Sequence, residues 1–95
     1  MKIPDEVKIG GRDFVVKFEA NVARDRGKLG GSCGSAQELH IENSLSDQMK
    51  QSVFLHELIH AIDFVYDIDL SEKQTAQLEA GVFACIRDNP EIFEA

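Results

Sequence analysis

The fold of this chain is decided by one apolar stretch, Val53-Phe54-Leu55-His56-Glu57-Leu58-Ile59-His60-Ala61-Ile62. Its apolar side chains would cover most of the circumference of an α-helix, which is typical of a buried central helix. Ser44 or Ser46 provides a suitable N-cap, so we predict that this helix runs from about Asp47 to Tyr66.

Three polar residues interrupt the apolar stretch in the pattern His-Glu-x-x-His: His56, Glu57 and His60. Histidines four residues apart lie on the same face of a helix, so both imidazoles can reach one ion at the ~2.0–2.1 Å that zinc prefers. Glu57 lies too far around the helix to be the third ligand. It is placed instead to take a proton from a water molecule and to pass it to a leaving amine. The motif therefore predicts a zinc site with Glu57 as general base.

A catalytic zinc site normally has three protein ligands, so one ligand must lie outside the motif. We predict Glu79, which follows His60 by 19 residues and lies among apolar residues of a second helix. An antiparallel return of that helix could bring Glu79 to the metal. The rival is Glu72, but an acidic residue in a first helical turn already interacts favourably with the helix dipole. Asp63, one turn after His60, could orient a ligand histidine through a hydrogen bond.

The N-terminal third of the sequence reads as strands and turns. Two short runs rich in apolar residues flank Gly10-Gly11, which predicts a β-hairpin. Residues 20–36 contain most of the glycines and have the composition of a loop. Residues 38–42 alternate between polar and apolar, as in a half-buried strand, and His40 within them could polarise a substrate carbonyl or could be an exposed strand residue.

The second helix begins at Ser71, which forms a capping box with Gln74, and it ends before Asn89-Pro90. We therefore predict an α+β fold. A small N-terminal twisted sheet of three or four strands packs on the central active-site helix, and the second helix follows. Residues 1–95 are the length of one domain.

The amino-acid composition limits the binding partners and the cellular locations that we expect for this protein. The net charge is −7, which argues against nucleic acid as a partner because phosphate binding needs clustered Lys and Arg. No apolar run approaches the roughly 20 residues that cross a bilayer. The N-terminal residues turn polar and acidic at once, unlike a secretory signal peptide. We therefore predict a cytoplasmic protein that acts on a peptide or protein and does not bind a membrane.

Two segments of the sequence resemble a known family. Residues 55–63 look like the active-site helix of zincin metallopeptidases, and residues 70–91 resemble small phage- and prophage-encoded proteins of the minimal-zincin type. These are distantly similar to the ImmA/IrrE-like metallopeptidases, whose third zinc ligand is a glutamate on the following helix. Glu79-Ala80 with Phe83-Ala84 is similar to the Glu-Ala and Phe-Ala pairs of that family. The resemblance thus implies Glu79 as the third ligand.

The resemblance also implies how a substrate would bind. Zincins have a small twisted sheet on the active-site helix, and the substrate pairs along the edge strand of that sheet. Residues 37–42 are then the expected edge, which would bind a peptide by β-augmentation. Longer zincins close the cleft with a C-terminal subdomain, whereas this chain has little sequence after its second helix.

Three hypotheses for the function follow. The first is a zinc metallopeptidase with His56, His60 and Glu79 as ligands and Glu57 as general base. The second is a zinc-containing peptide- or protein-binding regulatory module with little or no turnover. The third is a structural α+β domain in which the motif is accidental. Glu57 favours the first, because a purely structural zinc needs a fourth ligand rather than a glutamate that does not coordinate.

Overall fold

The computed structural model describes residues 1–22 and 28–93 and shows an α+β fold, a four-stranded mixed sheet followed by two helices. The predicted fold class is confirmed. The strands are β1 (Glu6–Ile9), β2 (Arg12–Glu19), β3 (Gly30–Cys33) and β4 (Glu38–Glu42). The helices are α1 (Asp47–Tyr66) and α2 (Glu72–Asp88), followed by a 3₁₀ helix over Pro90–Phe93. No helix among the described residues is long and apolar enough to cross a membrane.

The strands lie in the order β1-β2-β4-β3. β1 pairs with β2 antiparallel, β2 with β4 parallel, and β4 with β3 antiparallel. The first two form the predicted hairpin, closed by Gly10 and Gly11 with φ angles of 57° and 81°. Two consecutive positive φ angles make the turn whose twist matches the flanking strands, and glycine adopts them without strain.

The strand at the edge of the sheet next to α1 is not the one predicted from the sequence. β4 lies between β2 and β3, so the expectation that residues 37–42 form an edge is wrong. The edge strand is β3, from the glycine-rich segment that the composition predicted to be a loop. Residues 23–27 of the same segment lie outside the described residues.

Gly30 lets β3 approach β4 and α1 closely. A Cβ atom on Gly30 would lie 2.5 Å from Cγ1 of Val53 on α1 and 2.8 Å from the carbonyl oxygen of His40 on β4. Real Cβ contacts are not this short, and the backbone oxygen cannot move aside without disturbing the sheet. The absence of a side chain at residue 30 therefore sets how closely α1 lies to the edge of the sheet.

Helix α1 forms the second layer of the fold. Its N-cap is Ser46, whose hydroxyl accepts a hydrogen bond from the backbone N–H of Met49, and the helix has the predicted bounds. Burial of one face of α1 against one face of the sheet makes the hydrophobic core. The buried members of that core are Ile9, Phe14, Val16, Leu39, Ile41, Phe54 and Ala61.

Helix α2 packs on α1, and it is held less firmly than α1. The predicted capping box is present, since Ser71 and Gln74 each accept a hydrogen bond from the other's backbone N–H. The helix ends at Asp88, where Asn89 caps it. Of the α2 residues, Thr75 alone is fully buried. The position of α2 therefore depends on few apolar contacts and on the turn that leads into it.

Candidate metal centre

His56 and His60 bring two imidazole nitrogens together on the face of α1 that points towards α2. Their rings meet edge to face with centroids 4.8 Å apart, and the two Nε2 atoms are 3.2 Å apart. Glu72 of α2 completes the group, because its Oε1 atom lies 2.7 Å from Nε2 of His56 and 3.4 Å from Nε2 of His60. The three ligand atoms lie within 4.8 Å of one another, and no other such His, Cys, Asp or Glu group occurs in the described ranges.

The turn between the helices places Glu72 beside the histidines. Asp67 and Asp69 adopt the left-handed conformation with φ angles of 52° and 70°, which aspartate tolerates better than most residues. The Asp63 carboxylate accepts hydrogen bonds from the backbone N–H groups of Asp69, at 2.6 Å, and Leu70, at 3.2 Å. Asp63 therefore shapes this turn rather than contacting His56 or His60, and α2 starts with Glu72 close to these two histidines of α1.

Glu72 is largely exposed apart from its contact with the histidines. Its side chain is 71% accessible. A hydrogen bond with His56 lowers the pKa of the Glu72 carboxyl below its usual value. The carboxylate is thus ionised and directed at the two Nε2 atoms, which is the state that a metal ligand requires.

Glu79, the predicted third ligand, lies elsewhere around His56. Its Oε1 atom is 3.6 Å from Nδ1 of His56, on the side of the ring away from Nε2, and its Oε2 atom accepts a hydrogen bond from the Ser52 hydroxyl at 3.1 Å. Glu79 is therefore not part of the convergent group, and the geometry favours Glu72, the rival, over Glu79. The reason is the position of α2 along α1. The first turn of α2, rather than its middle, lies beside the Nε2 atoms of both histidines.

The chemistry of the donor set fits zinc. Two imidazoles and one carboxylate are a ligand set found at catalytic zinc sites, which keep a further position for water or substrate. The set lies in a cleft of about 820 Å³ between β3, α1 and α2, so the fourth side of an ion here would face open space. The remaining cleft residues are Lys28, Leu29, Gly30, Gly31, Ser32, Met49, Ser52, Val53, Glu57 and Glu79.

Glu57 lies in the same cleft and is nearly buried, with 7% of its surface accessible. Burial raises the pKa of its carboxyl, although the nearby His56 and His60 act in the opposite direction. It is not a member of the three-ligand group. A carboxylate that lines the cleft with His56 and His60 and lies outside the three-residue group is suited to accept a proton from a reacting water molecule.

The free edge of β3 forms the wall of the cleft opposite α2. Glu42 donates its backbone N–H to the carbonyl oxygen of Leu29 at 2.9 Å, in register with the β3–β4 pairs. Hydrogen-bonded and non-bonded pairs alternate along an antiparallel ladder, so Gly31 is bonded to β4 while Gly30 and Ser32 are not. The N–H and C=O groups of Gly30 and Ser32 therefore point away from the sheet. No strand of the described chain pairs with them.

His40, the third histidine, is not part of this site. It is 5% accessible and is thus buried rather than exposed. Its neighbours Leu39 and Ile41 are in the core beneath α1, so the alternation of side chains directs His40 to the opposite face of the sheet. There its two ring nitrogens contact the carboxylates of Glu19 and Glu38. His40 is therefore not placed to polarise a carbonyl group in the cleft.

Comparisons with protein-family models, with curated proteins and with solved structures give no match for this chain. The resemblance to zincins accordingly depends on the quoted residues alone.

Proposed function

We propose that this protein is a zinc-dependent metallopeptidase of the minimal-zincin type, with His56, His60 and Glu72 as ligands and Glu57 as general base. One observation carries the proposal. A buried carboxylate lies beside a convergent His-His-Glu group without belonging to it. A structural zinc site has no use for such a group, because it closes all four positions with ligands.

Glu57 would move the proton in this mechanism. A zinc ion held by the three ligands would polarise the scissile carbonyl and lower the pKa of the attacking water towards ~7. The Glu57 carboxylate takes a proton from that water as the water oxygen bonds to the carbonyl carbon. It then gives the proton to the amide nitrogen as the C–N bond breaks. The raised pKa makes Glu57 a better proton acceptor than an exposed glutamate.

The free edge of β3 is the proposed binding site for the substrate backbone. An extended peptide can pair with the outward N–H and C=O groups of Ser32, a partly exposed residue that lines the cleft with the proposed metal ligands. Because β3 has glycines at residues 30 and 31, few side chains stand between such a peptide and the metal. The substrate is then a peptide or an unfolded segment of a protein, recognised through its backbone.

Replacing Ser32 with proline tests the role of this edge. Proline removes one outward N–H, and a proline is tolerated on the free side of an edge strand. Loss of one such hydrogen bond costs about 1 kcal/mol, so we expect kcat/KM for a cleaved peptide to fall at least about fivefold with zinc content unchanged. Ser32→Ala keeps the N–H and serves as the control. A proline variant with wild-type kcat/KM would exclude backbone pairing at this position.

Metal content and cleavage of a peptide library test the function itself. We expect the purified protein to retain about one zinc ion per chain after dialysis against a weak chelator, as a three-ligand site should. Mass spectrometry of the library should show hydrolysed peptide bonds, and a strong chelator should stop hydrolysis until zinc is added back. The cytoplasmic location and the exclusion of nucleic acid and membrane as partners stay predictions from the sequence.

The same measurements distinguish the peptidase from the two alternative functions, a regulatory module and a structural domain. Zinc at full occupancy with no hydrolysis of any library member would favour the peptide-binding regulatory module. A chain that binds no added zinc would leave only a structural α+β domain in which the motif is accidental. Hydrolysis that continues in the zinc-free protein would contradict the proposed mechanism directly.

A further inference from the structure

We infer that Glu79 is a positioning residue for the zinc site, which accepts the Nδ1–H of His56 and so keeps the Nε2 atom of that ring free to bind the metal. The inference rests on the proposed zinc site, and it gives a different role to a residue that the sequence suggested as a ligand.

The His56 ring of α1 lies between two carboxylates that both belong to α2. Glu72 contacts Nε2 at 2.7 Å, and Glu79 lies 3.6 Å from Nδ1. The two glutamates are seven residues apart on α2, which places them on one face of the helix two turns apart. Each therefore reaches a different nitrogen of His56. The Nδ1 distance is about 0.6 Å longer than an ordinary hydrogen bond, a gap that a small side-chain rotation closes.

Glu79 is held in place by a second contact. Its other carboxylate oxygen accepts a hydrogen bond from the Ser52 hydroxyl at 3.1 Å. Ser52 precedes His56 by one helical turn on α1, so it stands on the same face of that helix. The Glu79 side chain is 22% accessible, compared with 71% for Glu72. The carboxylate beside Nδ1 is thus shielded and anchored, whereas the one beside Nε2 is open to the cleft.

This arrangement selects one form of the histidine. A neutral imidazole carries its proton on one nitrogen, and only the unprotonated nitrogen can bind a metal. In the metal-free chain the nearer carboxylate, Glu72, contacts Nε2. When an ion binds both Nε2 and Glu72, the ring proton is on Nδ1, and the Glu79 carboxylate beside Nδ1 stabilises that form. Among the described residues no hydrogen bond involves Nδ1 of His60. The effect of Glu79 is therefore specific to His56.

Zinc affinity of variants, measured by competition with a chromophoric chelator, tests the inference. We expect Glu79→Ala to weaken zinc binding about 10–100-fold, the usual effect of removing the partner of a ligand histidine. Glu79→Gln keeps an oxygen acceptor and should recover part of the loss, while Ser52→Ala should weaken binding less than Glu79→Ala does. Gln77→Ala, an exposed change on the same helix, should leave the affinity unchanged.

Two spectroscopic readouts separate positioning from ligation and from a general packing effect. The absorption bands of the Co²⁺-substituted protein should keep their positions in Glu79→Ala, because the ligands are the same, and should shift in Glu72→Ala. In the zinc-loaded wild type, the imidazole proton on Nδ1 of His56 should be slow to exchange and visible by ¹⁵N–¹H NMR. It should exchange rapidly in Glu79→Ala.

The outcomes distinguish a wrong role for Glu79 from a wrong proposed function. Unchanged zinc affinity in Glu79→Ala, with zinc bound by the wild type, would overturn this inference and leave the proposed peptidase standing. Shifted Co²⁺ bands in Glu79→Ala but not in Glu72→Ala would make Glu79 the ligand and would also overturn it. A wild type that binds no zinc would overturn both this inference and the proposed function.

Discussion

Replacing Glu57 with glutamine is expected to leave zinc bound and to lower the rate of peptide hydrolysis about 10²–10⁴-fold, the usual contribution of a general base. Glutamine has the shape of glutamate but cannot take up the proton of the attacking water. Glu57 is outside the ligand group, so the metal should stay. Zinc content and kcat, measured on the same preparation, check both parts of the prediction.

The thermal stability of the metal-free protein provides an independent control for the Glu57→Gln variant. Burial raises the pKa of Glu57 in the folded chain, so the metal-free protein loses stability as the pH rises through that pKa and the buried carboxyl ionises. Glutamine removes this penalty, and the metal-free variant should melt no lower than the wild type at neutral pH. Glu91→Gln, an exposed change, should alter neither rate nor stability. Hydrolysis at the wild-type rate in zinc-loaded Glu57→Gln would refute the mechanism.

Replacing His60 with alanine is expected to remove the metal. Its Nε2 atom lies 3.2 Å from that of His56 and 3.3 Å from Oε2 of Glu72, so its loss leaves two ligands on one side of the ion. Zinc affinity should fall more than about 100-fold, beyond what loss of a merely orienting residue causes. Elemental analysis after dialysis against a weak chelator should then find almost no zinc, and hydrolysis should be absent.

The matched control for His60→Ala is His40→Gln. His40 is the remaining histidine outside the motif, and it is buried on the opposite face of the sheet with Glu19 and Glu38 as partners. The variant should retain zinc as long as circular dichroism shows that it is folded. If His60→Ala retains zinc at the wild-type ratio, His60 is not a ligand and the proposed site is wrong.

Local sequence signals were sufficient for the helices and the hairpin. The capping box of Ser71 and Gln74, the N-cap of α1 and the Gly10-Gly11 turn each depend on residues a few positions apart, and all were predicted correctly. The pair of histidines one turn apart depends on helical geometry alone. Their convergence on one side of α1 therefore followed from the motif.

Features set by distant contacts were missed. β3 was taken for a loop because glycine has little strand propensity, but its residues pair with β4, and Gly30 packs closely against Val53 and His40. The resemblance to zincins implied that residues 37–42 form an edge strand, yet β4 lies between β2 and β3. His40 on its polar face is buried with Glu19 and Glu38 as partners. The choice between Glu79 and Glu72 as the proposed third ligand depends on the offset of α2 along α1, and Glu72 is the one beside Nε2 of His56. Spacing alone does not show that offset.

With zinc bound at the proposed site, the light burial of α2 would make its packing on α1 depend on the supply of zinc. An ion shared by two residues of α1 and one of α2 would bind the folded chain in preference to the unfolded one. By mass action it would stabilise the folded state by about 4 kcal/mol when free zinc is 1,000 times the Kd. The total free energy of unfolding of a small domain is about 5–15 kcal/mol, so the contribution of the ion would be a large fraction of it. Zinc scarcity would then loosen α2 first and shorten the lifetime of the protein in a cell that degrades unfolded chains.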